Sequence, residues 1–165
     1  MRIIRKYLFS AILTILVSFA FLSCSFGDGT PISSLGDSSM PIRRYDLLEI
    51  RYLTTGDYSA LQKMRTTYVI ETRALVEHLL KIGVLGESGM NERFLKFYED
   101  PTLAAAIRDV DSTFANMDRE NEQLRTCFNR MRKLLPEVDI PDVYTQVGDF
   151  EQSIVVSGNL VGISL

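Results

Sequence analysis

Val143-Tyr144-Thr145-Gln146-Val147, Ser153-Ile154-Val155-Val156 and Leu160-Val161-Gly162-Ile163-Ser164-Leu165 follow one another at the end of this chain. Each run is short, rich in β-branched residues and bounded by turn residues: Ile140-Pro141-Asp142 before the first, Gly158-Asn159 between the last two. Such runs read as strands, and a Gly-Asn pair between two of them reads as a two-residue hairpin loop. Everything between the first forty residues and Pro136 is patterned as helix instead. Helices first and strands afterwards, without alternation, predict an α+β fold, mainly α, closed by a short antiparallel β-meander. Leu165 falls inside an apolar run with no polar tail to blunt the last strand. The domain 42–165 is therefore expected to continue past that residue.

Upstream, the apolar spacing changes from two to three and four. Ile42–Leu53 holds Tyr45, Leu48 and Tyr52 and reads as a short amphipathic helix or an irregular lead-in. Thr54-Thr55-Gly56-Asp57 breaks the pattern, and Asp57 is placed to cap the next helix. Leu61, Met64, Tyr68, Thr72, Leu75 and Leu79 then mark one face of a helix from Tyr58 to Ile82, ended by Gly83. Gly86-Glu87-Ser88-Gly89 is a turn, and Met90–Tyr98 is a compact helix. Asp100-Pro101 is a start signal, because proline at the first helical position loses only an N–H that would be unpaired anyway. Leu103, Ile107 and Val110 lead a stripe that runs on through Phe114, Met117, Leu124, Phe128, Met131 and Leu135, with a break near Asp111–Ser112 and an interruption at Asn121. Arg130, Arg132 and Lys133 favour the helix C-terminus electrostatically, and Pro136 stops it. Phe94, Phe97, Tyr98, Phe114 and Phe128 read as helix-packing core; a ligand groove lined by the same rings is the alternative.

The N-terminus has a different character. Met1-Arg2-Ile3-Ile4-Arg5-Lys6 carries three positive charges and no acid, and Tyr7–Leu22 is uncharged and apolar for 16 residues. A basic segment before a short apolar one is the pattern of an export signal. A bilayer-spanning helix needs roughly 20 apolar residues. The run ends in Ser23-Cys24-Ser25, which resembles the lipobox of bacterial lipoproteins, although Phe21 and Leu22 stand where a leucine and a small residue are usual. Residues 1–23 are accordingly expected to be a lipoprotein signal peptide, an ordinary secretory signal or a short uncleaved anchor being the alternatives. Cys24 is expected to become the lipid-bearing N-terminus, with palmitate among its acyl chains. Residues 24–41, rich in Ser, Gly, Asp and Pro, read as a flexible tether that keeps the domain near the membrane. A dense acidic run is missing from Ser25-Phe26-Gly27-Asp28, which favours a domain facing the periplasm; the outer membrane is the expected anchor, with the inner membrane left open.

Removing residues 1–23 leaves 142 residues carrying 15 basic and 21 acidic side chains, a net charge near −6. Phosphate binding needs clustered basic surface, so nucleic acid is not an expected partner. With Cys24 lipidated, Cys127 has no partner in the chain and reads as a small buried apolar residue, a reactive or intermolecular thiol being the alternative. The single histidine, His78, cannot make a zinc site that needs three or four ligands. Glu71 and Glu77 do not share a helical face, and Asp109, Asp111 and Asp118 alternate with Arg108 and Arg119 as a solvated surface does. No serine elbow or phosphate-binding glycine loop occurs, and Ser157-Gly158-Asn159 is accounted for by the hairpin. Catalytic residues, metal ligands and cofactors are therefore expected to be none.

Arg44-Tyr45-Asp46, Ile140-Pro141-Asp142-Val143-Tyr144-Thr145 and Val161-Gly162-Ile163-Ser164-Leu165 carry a resemblance. Over residues 42–165 the chain resembles the gliding motility lipoprotein GldB family of Bacteroidetes, whose members share an early Arg-aromatic-Asp element and a Pro-x-Val-Tyr-Thr strand. A strand similar to Gly-Ile-Ser-Leu then runs into Asp-x-Tyr-Leu-Gly, which this sequence stops short of. The resemblance implies an envelope lipoprotein working in gliding, secretion or envelope assembly through other envelope proteins, without catalysis. The family is in turn similar in pattern to predicted zinc-dependent peptidases, which implies the N-terminal half of a zincin-like domain. Any metal-bearing helix would lie beyond Leu165, so no metal residue carries over. Two other functions stay open at this stage: part of a metallopeptidase-like enzyme, and a surface module binding glycan or peptide.

Overall fold

A computed structural model of the chain describes residues 42–148 and 150–165. The signal peptide, Cys24 and the tether expected above lie outside the described residues. The order of elements is β1 (Ile42–Arg43), α1 (Asp46–Thr55), α2 (Tyr58–Thr66), α3 (Val69–Arg73) running into a π-helical segment (Ala74–Leu79), α4 (Met90–Phe97), α5 (Pro101–Thr113), α6 (Asp118–Leu134), β2 (Asp142–Gln146), β3 (Ile154–Ser157) and β4 (Leu160–Ser164). The fold is α+β and mainly α.

Several boundaries follow from local chemistry. Gly56 closes α1 in the left-handed conformation, φ 70°, which glycine adopts without a Cβ penalty. The Asp57 carboxylate then accepts the Ser59 N–H at 2.8 Å and starts α2. Asp100 accepts the Thr102 N–H at 2.7 Å, with Pro101 at the first helical position of α5.

The helix expected over 58–82 is divided. Tyr68, with φ −111° and ψ 46°, leaves the helical region, and the chain resumes as α3. The Thr72 hydroxyl lies 2.6 Å from the Met64 carbonyl and 2.7 Å from that of Tyr68, so its one proton serves carbonyls at the break. The stripe Leu61, Met64, Tyr68, Thr72, Leu75 and Leu79 is nevertheless buried throughout. The break and the wider π turn keep it on one side. The ending also differs. Lys81, not Gly83, first takes a positive φ, 53°, after the π-helical segment.

The strands form a mixed sheet in the order β1-β2-β4-β3. β1 is parallel to β2, with Ile42 opposite Val143, and β2 is parallel to β4, from Asp142 opposite Leu160 to Gln146 opposite Ser164. Only β3 and β4 are antiparallel, joined at Gly158-Asn159 as the sequence implied. This corrects the expected antiparallel meander. The connection after β2 passes over one strand position to the sheet edge, and the hairpin returns β4 into the gap. A two-residue loop shows in sequence that β3 and β4 pair. It does not show which of them lies beside β2.

Side chains alternate across a strand, and the sheet carries a core on each face. Tyr144 packs with Tyr45, Leu48, Met64, Tyr68, Leu75 and Leu79 from the first helices. Val143, Val161 and Ile163 pack on the other face with Ile42, Met117, Phe114, Leu124 and Phe128. Asn121, the interruption in the second stripe, is buried there, and its Oδ1 accepts the Ile42 N–H at 3.1 Å. It satisfies the backbone of β1 on the side where, among the described residues, no further strand pairs.

Candidate functional site

The polar residues of the interior gather where α1 meets the C-terminal half of β2. Arg44 and Asp46 sit at the turn from β1 into α1. The Arg44 guanidinium holds Asp46 with Nε 3.0 Å from Oδ1 and 3.2 Å from Oδ2, and Nη2 2.6 Å from Oδ2. Thr145 on β2 donates its hydroxyl to Asp46 Oδ1. Arg44 is 6% exposed and Asp46 0%. Charges buried this deeply persist only with full pairing.

Tyr45, between them, points into the core beside Tyr68 and Tyr144, with ring centroids 5.8 Å and 6.1 Å away. Its hydroxyl donates to Thr72 Oγ1 at 3.0 Å. Burial pushes the Tyr45 phenol well above the usual tyrosine range, and the Glu49 charge adds to this. The Tyr144 phenol is pushed up to about 12, first by burial and then by the Glu71 and Glu49 charges, with Arg43 opposing. The Tyr144 ring lies over Gly162, its partner across the strand pair: a Cβ there would come within 2.6 Å of Tyr144 Cζ.

Arg43 ties the outer side of this layer. Its guanidinium is 3.1 Å from the buried Glu71 and 3.3 Å from Asp142. Glu49 closes the inner side. Its Oε2 accepts the Val147 N–H at 2.8 Å, while the Tyr98 hydroxyl donates to the Val147 carbonyl at 2.5 Å. Two side chains thus hold the backbone of Val147, which follows the last residue of β2. Burial raises the Glu49 carboxyl well above the usual carboxylate range; the Val147 hydrogen bond opposes this and the Asp46 charge reinforces it. Glu49 Oε1, both amide atoms of Gln146, and Ser164 Oγ are buried with no hydrogen bond among the described residues. In this arrangement the acids organise the joint between helix and sheet.

The residues weighed from sequence fall elsewhere. His78 is exposed on the π-helical segment. Glu77 accepts the Leu85 N–H at 2.9 Å and lies 3.7 Å from Arg73, so it fastens a loop. Asp109, Asp111 and Asp118 are exposed, as a solvated face requires. Phe94, Phe97 and Tyr98 pack ring on ring, with Tyr98 5.2 Å from Phe94 and 5.1 Å from Phe97. Cys127 is exposed, contrary to the buried role expected for it. Leu124, Phe128 and Met131 take the inward side of α6 and leave the thiol outside. Among the described residues, no cluster of three or more His, Cys, Asp or Glu side chains could hold a metal ion. No helix among them is long and apolar enough to cross a membrane.

Sequence reasoning missed Asp46, Glu49, Glu71, Gln146 and Asn121 as interior residues. One signal was present for Glu49. It follows Tyr45 by four and precedes Tyr52 by three, so it stands within the apolar stripe of α1.

The family model for the gliding motility protein GldB matches residues 31–165. The chain belongs to the gliding motility GldB family. The match spans every element described above, from β1 to β4. Arg44-Tyr45-Asp46, Val143-Tyr144-Thr145 and Gly162-Ile163-Ser164, which carried the resemblance to GldB in sequence, are the segments the fold brings together. No curated protein and no solved structure matches the chain.

Proposed function

We propose that this GldB-family chain is a lipid-anchored protein of the bacterial envelope that works without catalysis, through other envelope proteins, in gliding, secretion or envelope assembly. Membership of a gliding-motility family supports the process. The basic start, apolar run and Ser23-Cys24 junction support the anchor. The observation that carries the non-catalytic reading is the burial of the motif residues. Arg44, Asp46 and Thr145 are spent on one another, and Tyr45 and Tyr144 on packing. What they produce is a shaped exterior, and a shaped exterior serves partners.

Each methylene buried in a bilayer contributes about 0.8 kcal/mol, and one acyl chain alone holds a protein only marginally. An anchor at Cys24 therefore needs several chains, and we place it in the outer membrane with the domain in the periplasm. Cells expressing the full chain and fed labelled palmitate should yield a labelled protein that fractionates with the outer membrane. Cys24→Ala should abolish both. An unlabelled wild-type chain would overturn the anchor. Chelator-sensitive peptide hydrolysis by the purified full chain would overturn the non-catalytic reading and favour a metallopeptidase.

A further inference from the structure

β1, β2 and β4 all begin at one end of the sheet. They are parallel, with Ile42 opposite Val143 and Asp142 opposite Leu160. The turn at Gly158-Asn159 is at the same end, because Ser157 pairs with Leu160. The loop 135–141, between α6 and β2, arrives there too. The Asp142 N–H donates to the Asn159 carbonyl at 2.9 Å, and the Asn159 side-chain amide donates to the Ile140 carbonyl at 3.3 Å. Residues 1–41 are joined to the fold through Ile42, so the chain enters β1 at this end.

The same region exposes apolar side chains. Leu134 is 78% exposed, Leu135 46% and Val138 42%. The Val138 N–H donates to the Leu135 carbonyl at 3.1 Å, which turns the chain there. Leu135 was the last residue of the apolar stripe read from sequence, but α6 ends at Leu134 and leaves it outside. Arg130, Arg132 and Lys133 precede them and are exposed. Arg132 reaches Asn129 Oδ1 at 3.0 Å, and none of the three is in an ion pair among the described residues. The acids nearby are Glu137 and Asp139 in the loop, and Asp142, which Arg43 holds at 3.3 Å. Residues 130–139 thus carry three cations and two acids, in a chain that has 15 cations and 21 acids after residue 23. The helix dipole accounts for cations at the end of α6. It does not account for the bare leucines and valine beside them.

We propose that this end of the domain docks on an anionic phospholipid surface, with Leu134, Leu135 and Val138 entering the headgroup boundary and Arg130, Arg132 and Lys133 meeting lipid phosphates. Apolar side chains flanked by long cationic ones suit that boundary, because the stems lie along apolar surface while the charges reach phosphate. The inference rests on the anchor proposed at Cys24, which supplies proximity. Cys24 to Pro41 is 18 residues. Fully extended, they reach about 60 Å at most. The end of the domain to which they are joined is the end that bears the loop. The anchor then holds the domain at the membrane, and the loop sets which way it faces. The opposite end, where Gln146 and Ser164 finish β2 and β4, is turned away from the bilayer and toward partners.

The test uses the full chain in vesicles of phosphatidylethanolamine and phosphatidylglycerol that carry nitroxide-labelled lipid. A fluorophore is attached to one introduced cysteine in a Cys127→Ser background, which removes an exposed thiol. Val138→Cys reports the loop. Gln152→Cys reports the opposite end, where the Ser153 carbonyl accepts the Ser164 N–H at 2.9 Å. Lipid nitroxides should quench the label at 138 and not the label at 152. Equal quenching at both positions overturns the proposal. Quenching at neither also overturns it and leaves the loop to a protein partner. Arg130→Gln, Arg132→Gln and Lys133→Gln together should lower the ratio of docked to undocked domain by about 100-fold, and vesicles without phosphatidylglycerol should do the same. A ratio unchanged by both overturns the proposal. The exposed positions of these residues leave the fold intact. Labelled palmitate separates this contact from the anchor. A labelled chain without quenching at 138 sinks the contact and keeps the anchor; an unlabelled chain with quenching at 138 does the reverse.

Discussion

Asp46→Ala removes the carboxylate from a guanidinium that has no other acidic partner among the described residues and is only 6% exposed. Three contacts of 3.0, 3.2 and 2.6 Å disappear, and the Thr145 hydroxyl keeps only the Arg43 carbonyl, at 3.4 Å. Truncating one member of a buried ion pair costs about 3–5 kcal/mol, most of it the penalty of leaving the other charge unpaired. A domain of this size is stable by about 5–15 kcal/mol, so the loss is a large fraction of the whole. With a urea slope of about 2 kcal/mol/M, the unfolding midpoint of the full chain should fall by roughly 2 M. Arg44→Met with Asp46→Leu removes both charges together and spares the desolvation cost. The double variant should therefore be more stable than Asp46→Ala, and the two sites should be strongly non-additive. Urea titration followed by far-UV circular dichroism measures the wild-type chain, Asp46→Ala, the single variants Arg44→Met and Asp46→Leu, and the double variant. A loss under about 1 kcal/mol for Asp46→Ala, or additive losses in the double variant, would show that the pair is not what holds β1, α1 and β2 together.

Gly162→Ala puts a methyl 2.6 Å from Tyr144 Cζ, and overpacking of this kind costs about 1–3 kcal/mol; an unchanged melting temperature would mean the ring has room to move. Glu49 sets a pH dependence of defined sign. Its folded value is raised above the ordinary 4.5, so the folded state holds the proton more tightly. Its contribution to stability is complete below that pH and is lost as pH rises through the folded value. Glu49→Gln should flatten the alkaline side of the stability profile, and a profile unchanged by the substitution would contradict this. Asp57 and Asp100 act in the opposite direction. Their hydrogen bonds to Ser59 and Thr102 lower both carboxyls below 3.8, and the caps weaken as pH falls through the folded values. Cys127 should react with a thiol reagent in the native chain, and Cys127→Ser should change stability by no more than about 0.5 kcal/mol. With Cys24 acylated, denaturation should reveal no second thiol.

The helices were legible because their signals are local. Asp57 and Asp100 cap helices within three residues of themselves, and the stripe from Leu61 to Leu79 is buried wherever its backbone goes. The break at Tyr68 was not legible. It depends on Thr72 serving carbonyls that only the folded chain brings to it. The hairpin at Gly158-Asn159 was legible for the same reason as the caps, whereas the parallel pairing of β2 with β4 was not. A strand shows its neighbour in sequence only when a tight turn joins the two.

The interior acids show why a resemblance and a periodicity see different things. Polarity alone assigns Asp46, Glu49 and Glu71 to the surface, although spacing sets Glu49 within the stripe of α1. The fold buries all three, because each meets a group supplied from far along the chain: Thr145 for Asp46, the Val147 peptide for Glu49, and the Arg43 guanidinium for Glu71. Separations of 99 and 98 residues divide the first two pairs. Arg44-Tyr45-Asp46 and Val143-Tyr144-Thr145 look in sequence like two unrelated short motifs. In the structure they are the two halves of one joint. An arginine, an aspartate and a threonine close its polar side, and two tyrosines edge to face close its apolar side. Such a joint demands specific residue types at both ends of the domain while leaving the surface between them unconstrained. Short motifs separated by a long helical stretch of ordinary composition are what that demand looks like in a sequence.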